Sequence, residues 1–166
     1  AANNPWFNIQ DKHPYGVGYD FNHSSADTKY FSKKVMKFWL EEYKVDGFRF
    51  DLSKGFTQNF TNDVNAWGQY DASRIAIWKD YNAYIKTVDP NAYVILEHFA
   101  ADNEEKELAA DGMMLWNNVT GPFKEASMGY LANSNFGRIL FDQHSGFLSS
   151  QQDKLIGYME SHDEER

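Results

Sequence analysis

The chain has 166 residues, of which 42% are hydrophobic and 17% aromatic, enough for one packed core. Its formal net charge of -8 argues against nucleic acid or an anionic membrane as the main partner, because both surfaces are themselves negative. The absence of cysteine excludes disulfides and thiolate metal sites, and no apolar run approaches the ~20 residues that a membrane span requires.

The chain divides into a loop-rich beginning and a longer part with regular patterns. Residues 1–23 are rich in Asn, Gly, Pro and aromatic side chains without a steady period, which predicts loop. Residues 24–166 show helix and strand patterns. The first helix is predicted to begin near Ser25 and to end near Lys44. Trp39 lies on its apolar stripe and is expected in the core, as is Trp78 on the next helix.

The segment "FRFD" at 48–51 alternates aromatic and charged residues. Successive side chains of a strand point to opposite faces, so Phe48 and Phe50 share one face while Arg49 and Asp51 share the other. We expect the aromatic face to pack under a helix. The charged face then looks into an enclosed space that tolerates an Arg–Asp pair.

The helix–strand order repeats along the rest of the chain. A helix over 77–88 ends at Asp89-Pro90-Asn91, and the strand in "AYVILEHF" finishes at Glu97. The acidic run "DNEEKE" is expected to be a solvated helix start. It leads to the apolar run "MMLW", whose Trp116 is placed in or near a loop. The last strand candidate, "KLIGYMESHD", finishes at His162 and Asp163.

This alternation predicts a parallel α/β fold, in which chemistry takes place at the carboxyl ends of the strands. With about four strands, the chain is either half of an eight-unit barrel, which takes about 250 residues, or a smaller open sheet. Asp51, Glu97 and Asp163 each follow a different predicted strand. Two facing carboxyl groups can act as acid and nucleophile on an acetal. A carboxylate after a strand is also common simply because loops are solvated. Arg49 beside Asp51 favours the functional interpretation.

Three motifs resemble conserved regions of the α-amylase family, glycoside hydrolase family 13. "DGFRFDLSKGF" is similar to the second region, "VILEHF" to the third and "YMESHDEER" to the fourth, and the overall similarity is greatest to bacterial α-amylases. The resemblance implies a fragment of a (β/α)8 TIM barrel, roughly the fourth to seventh βα units. It implies that the parent enzyme is a retaining hydrolase of α-1,4-glucosidic bonds in starch-like α-glucans. The fragment alone is expected to be inactive.

The resemblance also implies residue roles. Asp51 is expected to be the catalytic nucleophile, Glu97 the general acid/base, and Asp163 the third catalytic carboxylate, which holds sugar hydroxyls. Substrate-binding roles follow for three further residues, namely Arg49, Lys54 and His162. The sequence departs from the common family pattern at Gly55, His98 and Ser161, and the family's first conserved region is not found.

Several alternatives stay open at this stage. The same machinery serves glucan transferases and branching enzymes, and a non-catalytic carbohydrate-binding relative is a third possibility, against which the intact carboxylates argue. The chemistry needs no cofactor. Structural calcium is common in the family, but most of its ligands are expected outside this chain, so the metal site is open. By resemblance we expect an extracellular, periplasmic or cell-surface location. The open edges of a partial sheet predict self-association.

Overall fold

The computed structural model describes residues 4–16, 18–140, 147 and 149–164. Helices and strands alternate in the predicted order. The helices are α1 (Ala26–Glu42), α2 (Val64–Trp67), α3 (Ala72–Val88), α4 (Asp102–Ala110) and α5 (Thr120–Ser127), and the strands are β1 (Gly47–Phe50), β2 (Tyr93–Leu96), β3 (Met114–Asn118) and β4 (Leu155–Tyr158). Within these described ranges, no helix combines the length and the apolar character needed to cross a bilayer.

The four strands form one parallel sheet in the order β1-β2-β3-β4. All three strand pairs are parallel, and their register pairs Phe50 with Leu96 and Leu115 with Leu155. Parallel neighbours need crossover connections, which α3 supplies between β1 and β2 and α4 supplies between β2 and β3. The predicted α/β class is therefore confirmed, and a four-stranded parallel sheet is consistent with part of a barrel.

One core joins the helices to the sheet. Trp78 is fully buried, as predicted, and its ring lies 4.8 Å from that of Phe50. Helix α3 begins where the Asp71 side chain accepts hydrogen bonds from the backbone of Ser73 and Arg74, which caps the helix. The most buried apolar side chains come from both layers: Trp78, Tyr81, Ile85, Leu96, Leu108, Met113 and Leu115.

The prediction that Trp39 belongs to the core is wrong. The residue is 44% exposed, and its ring lies against those of Phe38 and Tyr43 on the outside of α1. The helix buries Met36 and Leu40 instead, which lie one turn apart on a neighbouring stripe. The apolar period correctly predicted a helix, but no described element covers the stripe that carries Trp39.

The prediction that the acidic run is solvated is also wrong in part. Helix α4 begins at Asp102, as expected, yet Glu104 is 0% exposed and Glu105 is 2% exposed. Glu104 is buried because it forms an ion pair with the equally buried Arg74 of α3. A buried carboxylate is tolerated when such a partner compensates its lost hydration.

The loop-rich beginning packs onto this core. Phe7 and Phe21 form an isolated antiparallel bridge, and their rings stack at 4.7 Å. His23 is buried, stacks on Phe56 at 3.8 Å and shares a hydrogen bond of 2.8 Å with the Tyr81 hydroxyl. This contact fixes the segment just before α1 against the helix α3.

Candidate active site

Three acidic residues follow strands of the sheet. Asp51 comes directly after β1 and Glu97 directly after β2, and the register pairs the last residues of those strands. Asp163 comes shortly after β4, the strand at the other edge of the sheet. In a flat sheet the ends of β1 and β4 would stand about 14 Å apart, three strand spacings. Any contact between their loops therefore requires the sheet to curve or the loop after β4 to fold across its end.

Arg49 links two of the acids. It lies on β1, on the face opposite the aromatic residues that pack on the core. Its Nη1 forms an ion pair with Asp51 Oδ1, and its Nη2 lies 3.0 Å from Glu97 Oε1 without the alignment of a hydrogen bond. One guanidinium therefore carries a carboxylate on each of its terminal nitrogens. The expected pairing of Arg49 with Asp51 is present, but the prediction of an enclosed space is wrong, because Asp51 faces solvent.

Exposure differs sharply between these two carboxylates. The Asp51 side chain is 62% exposed, whereas that of Glu97 is only 9% exposed. The second Glu97 oxygen, Oε2, accepts a hydrogen bond of 2.9 Å from the backbone N–H of Leu52. Asp51 is thus open to a ligand from solvent, while Glu97 is held from two sides within the protein.

His162 brings the loop after β4 to the same place. Its Nε2 lies 3.4 Å from Asp51 Oδ1 and 3.3 Å from Asp163 Oδ2. All three side chains are more than 60% exposed. The structure therefore brings Asp51, His162 and Asp163 together with Arg49 and Glu97 in one cluster that is open to water.

Lys54 has its contacts elsewhere. Its ammonium donates a hydrogen bond of 3.1 Å to the carbonyl of Phe99 and lies 4.4 Å from the centre of the Trp67 ring. Burial, reinforced by the nearby charge of Arg74, lowers the pKa of Lys54. Among the described residues, Lys54 makes no ion pair with the three predicted catalytic acids, so its substrate-binding role stays a prediction.

Trp116 is a residue whose position the sequence analysis missed. It lies within β3, not in or near a loop, and its ring centre is 4.6 Å from the Arg49 guanidinium. On its other side it packs against Tyr158 at 5.1 Å. A guanidinium over an indole face is attracted electrostatically, so Trp116 helps to fix Arg49. The sequence signal for a strand position was the apolar run "MMLW". In the strand, Trp116 points to the face opposite the buried Leu115.

The turn after β1 is the second missed feature. Leu52 adopts a left-handed conformation with φ 44° and ψ 44°, which is uncommon for any residue with a side chain. The N–H of Ser53 donates a hydrogen bond of 2.9 Å to the carbonyl of Glu97. Together with the Leu52 bond to the Glu97 side chain, this turn ties the residues after Asp51 to both the backbone and the carboxylate of Glu97.

The cluster also has the composition of a candidate cation site. Asp51, His162 and Asp163 each offer one possible ligand atom, a carboxylate oxygen or an imidazole nitrogen, and these atoms all lie within 4.8 Å of one another. Calcium takes six to eight oxygen ligands, whereas this group offers two carboxylates and an imidazole nitrogen, all well exposed. These residues do not fit a structural calcium site.

The fold and the site together define the class of protein: a parallel α/β domain with acids near its strand ends, which is where active sites of such folds lie. The chain belongs to the α-amylase family: residues 17–166 match the family model described as alpha amylase, catalytic domain.

Similar proteins fall into more than one activity class. Alpha-amylase 3 of Dictyoglomus thermophilum is 30% identical over 76% of this chain and 24% of its own length. The 1,4-alpha-glucan-branching enzyme of Solanum tuberosum is 25% identical over 87% of this chain and 18% of its own length. A cyclomaltodextrinase of a Bacillus species is 20% identical over 87% of this chain and 23% of its own length. The chain thus spans about a quarter or less of these relatives.

Proposed function

We propose that the complete protein carrying this chain is a retaining glycoside hydrolase that cleaves α-1,4-glucosidic bonds in starch-like α-glucans. Asp51 attacks the anomeric carbon to form a covalent glycosyl-enzyme intermediate. Glu97 protonates the leaving oxygen and then removes a proton from the water that releases the sugar. Asp163 holds hydroxyl groups of the same sugar. The sheet would then correspond to roughly the fourth to seventh βα units of a (β/α)8 barrel.

The observation that carries the proposal is the sharing of Arg49 by Asp51 and Glu97. Retaining enzymes need their two carboxyl groups only about 5–5.5 Å apart, and two carboxylates on one guanidinium are compatible with that spacing. The exposure of Asp51, His162 and Asp163 leaves room for a sugar on the open side. His162 offers a further hydrogen bond to substrate beside these acids, and Lys54 is proposed as a second substrate contact.

The first test uses the complete gene product with soluble starch or a maltooligosaccharide. We expect new reducing ends, released with the α configuration, which nuclear magnetic resonance detects before mutarotation. Replacing the general acid, Glu97→Gln, should lower kcat/KM by about 10²–10⁴-fold. Asp51→Asn should abolish the covalent step and reduce turnover to background.

A matched control lies at the other end of the same strand. Asp46 is exposed and precedes β1, so Asp46→Asn makes the identical chemical change away from the cluster. This variant should retain wild-type activity. An Asp51→Asn protein as active as the Asp46→Asn protein would refute the assignment of Asp51. Absence of turnover from both the wild-type and the Asp46→Asn proteins would instead favour a carbohydrate-binding relative that has lost catalysis.

A glucan transferase or branching enzyme is the second candidate, because three similar proteins are named branching enzymes. The same two carboxylates serve both reactions, and only the acceptor of the glycosyl group differs. Product analysis separates them. Accumulating reducing ends support hydrolysis, whereas altered chain lengths or branch points without new reducing ends support transfer.

A further inference from the structure

Four polar residues form a buried chain behind Glu97, on the protein side of the sheet end. We call Ser53, His98, Glu104 and Arg74 the buried network. Each of the four is 1% exposed or less. They come from the turn after β1, the residue after Glu97, the first turn of α4 and the first turn of α3. Polar groups at such depth must satisfy one another, so their geometry is specified closely.

Polar contacts at hydrogen-bond distance run in one line from Glu97 to Arg74. The Ser53 hydroxyl lies 2.8 Å from the Glu97 carbonyl oxygen and 2.9 Å from His98 Nδ1. His98 Nε2 lies 2.6 Å from Glu104 Oε1. Arg74 donates to both Glu104 oxygens, from Nε at 2.6 Å and from Nη2 at 2.7 Å. The line connects the Glu97 backbone to a bidentate buried ion pair.

The charges of the network are mutually consistent. Complete burial lowers the pKa of His98, although Glu104 acts in the opposite direction, so the ring is neutral near pH 7. Burial also opposes ionisation of Glu104, but hydrogen bonds from His98 and Arg74 outweigh it and lower the pKa of Glu104. A neutral His98 then donates its Nε2 proton to the Glu104 carboxylate. Its Nδ1 is left as an acceptor, so the single proton of the Ser53 hydroxyl is shared between His98 Nδ1 and the Glu97 carbonyl oxygen, which also accepts from the Ser53 N–H.

The remaining hydrogen bonds of Arg74 reach the turn after β1 and the segment at the end of α2. Nη1 donates to the carbonyls of Lys54 and Trp67, each at 3.1 Å, and Nη2 donates to that of Gln69 at 3.1 Å. The carbonyl of Ser53 accepts from the Trp78 indole at 3.0 Å. The backbone at Leu52, Ser53 and Lys54 is therefore fixed at every residue. This is the backbone whose Leu52 N–H contacts the Glu97 carboxylate.

We propose that the buried network positions the Glu97 side chain for proton transfer, with His98 and Ser53 as positioning residues that never touch substrate. This inference rests on the proposed function of Glu97. The network sets the Leu52–Lys54 turn and the backbone of Glu97, and these two elements determine where the carboxyl group stands relative to Asp51. Misplacing a reacting group by about 1 Å can cost on the order of 10²-fold in rate.

The test compares two substrates that differ in their need for an acid. A maltooligosaccharide has a poor leaving group and needs a proton from Glu97, whereas the fluoride of α-glucosyl fluoride leaves with little protonic help. Ser53→Ala in the complete protein removes the hydroxyl that joins Glu97 to His98. It should lower kcat/KM for the maltooligosaccharide on the order of tenfold and that for the fluoride by no more than about threefold. His98→Gln should give the same selective loss.

Two reference variants make the outcome decisive. Asn82 is buried on the same helix α3 but donates its hydrogen bonds to Asp111, away from the turn. Asn82→Ala should therefore affect both substrates equally. Glu97→Gln should show the largest selective loss. If Glu97→Gln is selective but Ser53→Ala and His98→Gln lower both rates equally or not at all, the positioning role is refuted and the proposed function stands. If Glu97→Gln is itself not selective, the proposed function fails first.

Discussion

At the scale of single residues, two buried titratable groups act on stability with opposite signs. Burial, helped by the nearby charge of Lys29, lowers the pKa of His23 from 6.5 to about 3. The unfolded chain therefore binds a proton that the folded chain rejects, and the free energy of unfolding falls as the pH drops below 6.5. Burial raises the pKa of Glu105 from 4.5 to about 7. The folded chain then binds the extra proton, and stability increases as the pH falls from about 7 towards 4.5.

These two effects should nearly cancel in the wild-type protein between about pH 7 and about pH 5. The variant His23→Gln keeps a hydrogen-bonding side chain near Tyr81 but does not titrate. Acidification over this interval should therefore stabilise it by about 2 kcal/mol relative to wild type. Urea unfolding at the two pH values measures the difference.

The reciprocal variant supplies the control. Glu105→Gln removes the other titration, so the same acidification should destabilise this protein by about 2 kcal/mol relative to wild type. If both variants follow the wild-type pH dependence, His23 and Glu105 do not have the perturbed protonation inferred from their burial.

The sequence predicted best the positions of residues that are determined by a local pattern in the chain. Arg49 and Asp51 could be placed on one face because a strand alternates with a period of two. The burial of Glu104 could not be predicted, because its partner Arg74 stands 30 residues away and both occur in runs that resemble solvated helix surface. His98 was visible only as a departure from the family pattern. Its role follows from contacts with Ser53 and Glu104 that no local pattern encodes.

At the scale of elements, the pairing of β1 with β2 depends on Gly47. This residue has φ 153°, and a Cβ atom there would lie 2.2 Å from the Tyr93 carbonyl oxygen and 2.5 Å from the Tyr93 nitrogen. The neighbouring backbone is itself fixed, since the Tyr93 N–H donates to the Asp46 carbonyl at 2.8 Å. Relief therefore requires the strands to separate where β1 begins.

Gly47→Ala should consequently lower the free energy of unfolding by about 1–3 kcal/mol, as overpacking against a rigid neighbour does. Gly55→Ala is the matched control, because the nearest atom to its new Cβ, the Cδ2 of His13, is 3.5 Å away. Urea denaturation of the two variants and wild type gives the comparison. Equal stabilities of all three proteins would show that β1 and β2 adjust to the added methyl group without cost.

The order of helices and strands was predictable because each element carries its own period and stop signal. Pro90 ends α3, and Gly47 introduces β1. What the period cannot tell is which of two adjacent apolar stripes on a helix meets the core. On α1 the stripe with Met36 and Leu40 is apolar, and so is the neighbouring surface with Phe38 and Trp39. Which of the two is buried depends only on where the rest of the protein packs against the helix. The placement of Trp39 failed for this reason.

At the scale of the whole molecule, the sheet has two edge strands, β1 and β4, with no described strand beyond either. Beside β1, a hollow of about 300 Å³ is lined by Val35, Trp39 and Phe48 together with other apolar residues. An unpaired strand edge next to exposed apolar side chains is a surface that favours pairing with another chain. We propose that in the isolated 166-residue chain this surface binds a second copy.

Trp39→Lys places a charge in this hollow and should therefore weaken association, whereas Tyr30→Lys makes the same kind of change on α1 outside it. Sedimentation velocity of the isolated chain over a range of concentrations measures the effect, at about 0.15 M salt so that the net charge of -8 is screened over roughly 8 Å. The wild-type chain and Tyr30→Lys should gain mass together as concentration rises, and Trp39→Lys should stay closer to the monomer. A wild-type chain that stays monomeric throughout, or two variants that associate alike, would exclude the β1 edge as the contact surface.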